Sequence, residues 1–204
     1  NYRSQWGADH IKIDCIYMNR SPLTPIEHKV SQIRPELTVP VFSDNELIGG
    51  KVKAFFDRVK VRDLYDIANL KHVLDERSKK ERVIAHKIIL FYASMSATFP
   101  YGFGNRTDRF ADKYIELKGQ LYPMLRRDGV VPTLEELVTV AREFITAYVL
   151  PKNDSEVEYL TYFAHGQFDP SLLFSKTSMA HAALVNPEAQ WKLQNIQKMQ
   201  QNDE

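Results

Sequence analysis

The 204-residue chain is 44% hydrophobic and 26% charged, which supports one large domain or two small ones with a real core and excludes a disordered or low-complexity protein. A formal net charge of +1 and a pI near 8.0 exclude a broadly basic nucleic-acid coat, so any polyanion contact must come from a local patch. The single Cys15 excludes an intrachain disulfide and a cysteine-only zinc site, and no apolar run approaches the ~18 residues of a membrane span, so a cytoplasmic protein without membrane contact is expected.

Residues 10–18 alternate as a strand, with Ile11, Ile13, Cys15 and Tyr17 on one face and Lys12, Asp14 and Ile16 on the other. The chain opens on Asn1 and runs straight into this strand, so the start of the natural protein and the other sheet members are expected upstream. Pro22 and Pro25 break the pattern, residues 26–33 read as a short helix, and Pro35 to Phe42 offer a second short strand. From Ser43 every element reads as helical. A first helix covers about 44–60, opened by a Ser43/Glu46 capping box, and a second starts near Val61 to Asp63 with Leu64, Ile67, Ala68, Leu70 and Leu74 as its apolar positions. A long helix over 80–99 is followed by a break at Pro100–Gly104, and residues 107–119 continue the helical pattern. Thr133 and Glu136 cap a helix that ends before Pro151, and Ser155 and Glu158 cap another that stops at Gly166. Short helices over 176–185 and 187–199 complete the layout, which is α+β but mostly α: a small α/β part over residues 1–75, then a larger helical domain over 76–204, with the seam in the charge-rich 70–80 stretch.

The chemistry concentrates in residues 43–66. Between residues 51 and 62, Lys51, Lys53, Arg58, Lys60 and Arg62 stand against Asp57, a local charge of 5 − 1 = +4. Leu47, Lys51, Phe55, Arg58 and Arg62 recur at steps of three and four, which would align the basic groups along one side. Reactions on nucleoside triphosphates need carboxylates for Mg²⁺, a cation for the triphosphate and a group to take the proton of the attacking hydroxyl. Asp14, Lys51, Asp63 and Asp66 are of the right types for parts of these roles. Spacing alone favours a solvent-facing Asp14 on an edge strand, and it leaves the Arg62/Asp66 and Arg58/Asp63 pairs open between surface ion pairs and a tuned site. Gly49-Gly50 inside a helix costs ~1 kcal/mol each relative to Ala, which close approach of another backbone or a ligand would explain; a weak helix entrance with solvated lysines fits as well.

Other candidates carry less. The six histidines show no i, i+4 pairing and no H-E-x-x-H pattern. Gly102-Phe103-Gly104 follows no strand and reads as a loop, and nearby Tyr101, Arg106 and Arg109 could touch RNA, although spacing favours an ordinary interhelical turn. Trp191 and Lys192 are expected to anchor the last helix by burying the indole.

Four segments, IKIDCIYMNRSPL, SDNELIGGKVKAFFDRVKVRDLYDI, YLTYFAHGQFDPSLLF and NPEAQWKLQN, together resemble the AbiEii/AbiGii-type nucleotidyltransferase toxin family, a branch of the DNA polymerase β-like nucleotidyltransferases. Lys51, Ala54 and Arg58 meet a K-x-x-A-x-x-x-R pattern, and Arg62, Asp63, Tyr65 and Asp66 an R-D-x-Y-D pattern. The resemblance implies a mixed-sheet nucleotidyltransferase lobe, of which residues 1–75 would be the C-terminal part, and a helical lobe, with the active site between them. It implies Mg²⁺-dependent transfer of a nucleoside monophosphate from an NTP to an acceptor such as tRNA or another RNA, in a toxin–antitoxin or abortive-infection setting with a cognate antitoxin. It further implies Asp14 as a metal ligand, Lys51 on the triphosphate, Asp63 as base or orienter, Asp66 as a supporting catalytic residue, and Lys53, Arg58 and Arg62 as substrate contacts. The family's first motif, a Gly-Ser or Gly-Gly-Thr turn before an Asp-x-Asp pair, is absent from these residues, so this stretch by itself is expected to bind NTP weakly and to transfer nothing. The alternative is a non-catalytic helical module derived from this family that keeps only RNA or protein contacts.

Overall fold

The computed structural model describes residues 2–4, 7–9, 21–125 and 129–202, which form an α+β, mostly helical molecule. Its described strands form two separate antiparallel hairpins. β1 (Tyr2–Ser4) pairs with β2 (Gly7–Asp9), Tyr2 opposite Asp9, and β3 (Glu27–Val30) pairs with β4 (Thr38–Val41), Glu27 opposite Val41. The short helix expected over 26–33 is therefore a strand. Its backbone finds partners in Thr38–Val41, and Pro35 sits in the intervening turn, closed by the Leu37 N–H on the Arg34 carbonyl at 2.8 Å. The strand expected over 10–18, Asp14 included, lies outside the described residues.

α1 (Asp44–Asp57) starts where expected, with Ser43 Oγ accepting the Glu46 N–H, but the Glu46 carboxylate does not return to Ser43. It accepts the Leu23 and Thr24 N–H groups at 2.8 and 2.9 Å and the Tyr92 hydroxyl, which fastens the chain before β3 to α1. α1 stops at Asp57, short of the expected residue 60: Arg58 and Lys60 are extended, and the chain turns before α2 (Val61–Asp75). The single basic face therefore does not exist; Phe55 is fully buried, and the charged groups meet across the angle between two helices. α3 (Lys79–Ser94) opens on a complete Ser78/Glu81 capping box.

A loop with a cis Phe99–Pro100 bond and Gly102 at φ +92° follows α3, as expected for this break. The continuous helix expected over 107–119 is instead a tight turn at Arg106–Phe110, the single turn α4 (Tyr114–Glu116) and a wider turn at Leu117–Leu121. Arg106, Thr107 and Phe110 turn inward, and a straight helix continuing that face would bury Tyr114, which is exposed. α5 (Leu134–Phe144) carries the expected Thr133/Glu136 box. α6 (Asp154–Ala164) is capped by Asn153, not Ser155, whose hydroxyl donates to the Leu172 carbonyl at 2.6 Å. The short α7 (Ser171–Phe174) precedes α8 (Ser178–Leu184) and α9 (Pro187–Asn202).

α1 packs on α3 and α2 on α5 around one apolar core that runs from Leu23 to Ile196. Phe55 stacks on Phe110 at 5.6 Å, and Phe56 meets Phe103 edge-on at 5.1 Å, so the loop after α3 is pinned under the end of α1. Gly49 is where α3 comes closest: a Cβ there would lie 2.2 Å from the Tyr92 ring, whereas one at Gly50 would meet nothing within 4 Å. Trp191 does not bury its indole, which is 64% exposed; Lys192 turns inward instead and donates to the Ser96 and Phe99 carbonyls at 2.8 and 2.6 Å. No helix among the described residues is long and apolar enough to cross a membrane.

Candidate functional site

A cleft of about 590 Å³ opens where α1, α2 and α9 converge, lined on the α1 side by Gly50, Lys51, Lys53, Ala54, Asp57 and Arg58, and on the α2 side by Asp63 and Asp66. Glu46 and Leu47 of α1 and Pro22, Phe42, Tyr92 and Glu188 close its remaining walls, so the lining sets five carboxylates against three cations. Gly50 leaves the α1 backbone open to this space, so the two glycines serve different purposes: Gly49 admits the Tyr92 ring and Gly50 faces the cleft.

Each cation of the cleft meets an acid from another element or the next turn. Lys51 Nζ donates to Asp66 Oδ2 at 2.6 Å in a half-exposed pair. Arg58 holds Asp63 with both forks of its guanidinium, Nε to Oδ2 at 2.7 Å and Nη2 to Oδ1 at 2.9 Å, and Asp63 is 5% exposed. That hydrogen-bonded carboxylate raises the Arg58 guanidinium above its ordinary range. Lys53 Nζ sits between Asp57 Oδ2 at 2.5 Å and Glu188 Oε1 at 2.9 Å. Burial works against the Lys53 charge, but the hydrogen bonds to Asp57 and Glu188 prevail and raise it. The +4 stretch is thus largely neutralised by carboxylates of α1, α2 and α9, and what remains is a layer of paired charges.

Lys51, Lys53, Arg58, Asp63 and Asp66 therefore share one cleft. Arg62 does not line it; it is exposed, and its expected pairing with Asp66 is absent because Asp66 takes Lys51. Three participants lack an expectation from the sequence. Asp57 was legible as the i+4 partner of Lys53, whereas Tyr92 and Glu188 reach the cleft only through the tertiary packing of α3 and α9. Among the described residues no group of three or more His, Cys, Asp or Glu side chains could hold a metal ion, so these residues do not by themselves fit a Mg²⁺ site; Asp14 lies outside them.

What the arrangement offers chemically is a set of three cations, each paired with a carboxylate that a ligand would have to displace or share. With three cations each paired to an acid, open space beside Gly50 and an aromatic wall at Phe42 and Tyr92, the cleft suits a charged ligand better than an apolar one. No curated protein and no solved structure matches the chain. A family model described as nucleotidyl transferase AbiEii toxin, type IV TA system, matches residues 2–152, which include β3, β4, all of α1 to α5 and every charged residue of the Lys51–Asp66 layer. The chain therefore belongs to the AbiEii nucleotidyl transferase toxin family of type IV toxin–antitoxin systems.

Proposed function

We propose that the cleft binds the triphosphate of an NTP and that the protein transfers the nucleoside monophosphate to an RNA acceptor, tRNA being the first candidate. The observation that carries this reading is the Lys51–Asp66 pair: a half-exposed ammonium at the cleft, next to open glycine backbone, held by a carboxylate it can leave. Exposed pairs of this kind are worth only ~0–1 kcal/mol, so a triphosphate outcompetes the aspartate. Asp63 has both oxygens committed to Arg58, which suits an orienting role better than a proton acceptor: it fixes the guanidinium at the rim, where its remaining N–H groups can meet phosphate oxygens. Lys53 and Arg62 are assigned to the substrate as weaker contacts, the first because two acids already claim it and the second because it stands outside the cleft. Mg²⁺ is the proposed cofactor and Asp14 its assigned ligand. A cognate antitoxin protein is the proposed regulatory partner and the cytoplasm the proposed compartment.

The test is transfer of label from α-phosphate-labelled NTPs to total tRNA and to protein by the full-length protein with Mg²⁺, beside Lys51→Ala and Asp63→Ala. Label in RNA that both substitutions abolish supports the reading and names the acceptor. Folded full-length protein that transfers no label from any NTP would replace it with a non-catalytic binding module.

A further inference from the structure

Next to the nucleotide cleft, across Asp57, lies a second pocket of about 390 Å³ lined by Thr98, Tyr101, Gly102, Asn105, Arg106 and Arg109, among others. Its floor holds an unusual group. Arg106 is 5% exposed and donates Nε to the Phe55 carbonyl at 3.0 Å; among the described residues no carboxylate lies within salt-bridge distance of it, and its buried Nη2 has no partner. Burial, reinforced by the Arg109 charge, lowers the guanidinium from its ordinary range, and Asp57 and Asp63 offset this only at a distance. Asp57 makes no bond to Arg106; its oxygens take the Ala97 N–H at 2.7 Å and Lys53 instead. A buried, unpaired guanidinium is costly unless something supplies the missing acceptors. Around it the walls are open: added side-chain atoms at Gly102 or Gly104 would meet nothing within 4 Å.

We propose that this pocket takes a backbone phosphate of a single-stranded RNA, held by Arg106 and Arg109, while a neighbouring base stacks on Tyr101. Tyr101 is 77% exposed at the pocket rim, so its ring face is available. An arginine pair beside an exposed aromatic ring is the chemistry that binds single strands: the cations take the phosphate and the ring takes a base of any sequence. The shared Asp57 wall puts the phosphate next to the NTP cleft, so a strand lying over Tyr101 brings its end toward the nucleotide; this assignment rests on the RNA-acceptor reading above.

The experiment is fluorescence anisotropy of a short labelled single-stranded RNA on the full-length protein, with ATP binding by calorimetry and thermal melting in parallel, for wild type, Tyr101→Ala, Arg109→Ala, Arg106→Lys and Lys51→Ala. Tyr101→Ala and Arg109→Ala change exposed side chains, and each is expected to weaken RNA binding about tenfold, the loss of one stacked base or one phosphate contact, with ATP affinity and melting temperature held. Arg106→Lys keeps the charge but loses the planar fork that lets Nε hold the Phe55 carbonyl while a separate N–H meets the phosphate, and is expected to weaken RNA binding as well. RNA affinity unchanged in both Tyr101→Ala and Arg109→Ala overturns the proposal. Inorganic phosphate or pyrophosphate bound at the pocket by phosphorus NMR, in a protein with no affinity for RNA, also overturns it and leaves a free-phosphate site. The transfer reading fails separately: Lys51→Ala would then leave ATP binding intact, whatever the RNA variants do.

Discussion

Lys51 and Arg58 both hold an aspartate, yet they do different work. Lys51 and Asp66 are about half exposed, and losing such a pair changes folding stability little, whereas a charged hydrogen bond to phosphate is worth ~1.5–3 kcal/mol. Lys51→Ala is therefore expected to weaken ATP binding about ten- to a hundredfold by calorimetry while the urea midpoint stays close to wild type. A lost midpoint with unchanged affinity would make Lys51 structural. The adjacent glycines give a second contrast. Gly49→Ala drives a Cβ into the Tyr92 ring and is expected to cost ~1–3 kcal/mol in urea unfolding, while Gly50→Ala has open space and is expected to gain up to ~1 kcal/mol from helix propensity. Equal effects of the two substitutions would contradict the packing described here. At this scale Lys51, Arg58, Asp63 and Asp66 were legible in the sequence because they crowd into sixteen residues of two adjoining helices. The side of α1 each would occupy was not legible, because an extended break at Arg58–Lys60 is invisible to a count of threes and fours.

Among the elements, α3 and α6 are joined by a buried polar contact that the core must satisfy. His86 meets the Tyr148 carbonyl with Nδ1 at 3.0 Å and Glu156 Oε2 with Nε2 at 2.9 Å, and the Lys152 N–H adds a bond to the same oxygen at 2.7 Å. Burial works to push the Glu156 carboxyl up, but the hydrogen bonds from His86 and the Lys152 N–H prevail and hold it below its ordinary value of 4.5. A carboxyl lowered on folding contributes stability that is present above its unfolded value and lost as the pH falls through the folded one. Stability from this group is thus expected to hold from neutral pH down to about 4.5 and to fall below it, and Glu156→Gln is expected to flatten that acid limb. Weakening the hydrogen bonds of a buried donor costs ~1–3 kcal/mol, which urea unfolding at neutral pH would register; an acid limb unchanged in Glu156→Gln would assign it to other carboxylates. Helices with local signals, the Thr133/Glu136 box above all, were legible. Of the β3–β4 hairpin only β4 was legible, as the strand expected over Pro35 to Phe42; β3 is exposed along its whole length, so no alternating apolar row marks it, and only its partner strand decides its conformation.

The cleft is a property of the whole molecule, since its walls run from Pro22 to Glu188 and α9 lies beyond the residues the family model matches. α9 is docked by Lys192 on the Ser96 and Phe99 carbonyls, and that docking delivers the Glu188 carboxylate to Lys53. No local pattern could announce a contact between residues so far apart in the chain. The consequence is electrostatic: Glu188 subtracts one charge from the cation layer that would receive the triphosphate. Glu188→Gln leaves Asp57 as the one charged partner of Lys53 among the described residues and shifts the potential of the cleft in the positive direction. One unit charge near the surface acts with ~1 kcal/mol over these separations, so ATP affinity is expected to rise about fivefold at low ionic strength, and the gain should shrink as salt screens it. Calorimetry at two salt concentrations measures both. Affinity that stays the same at low salt would mean that Lys53 does not face the nucleotide, and that α9 supports the fold around the cleft without tuning its charge.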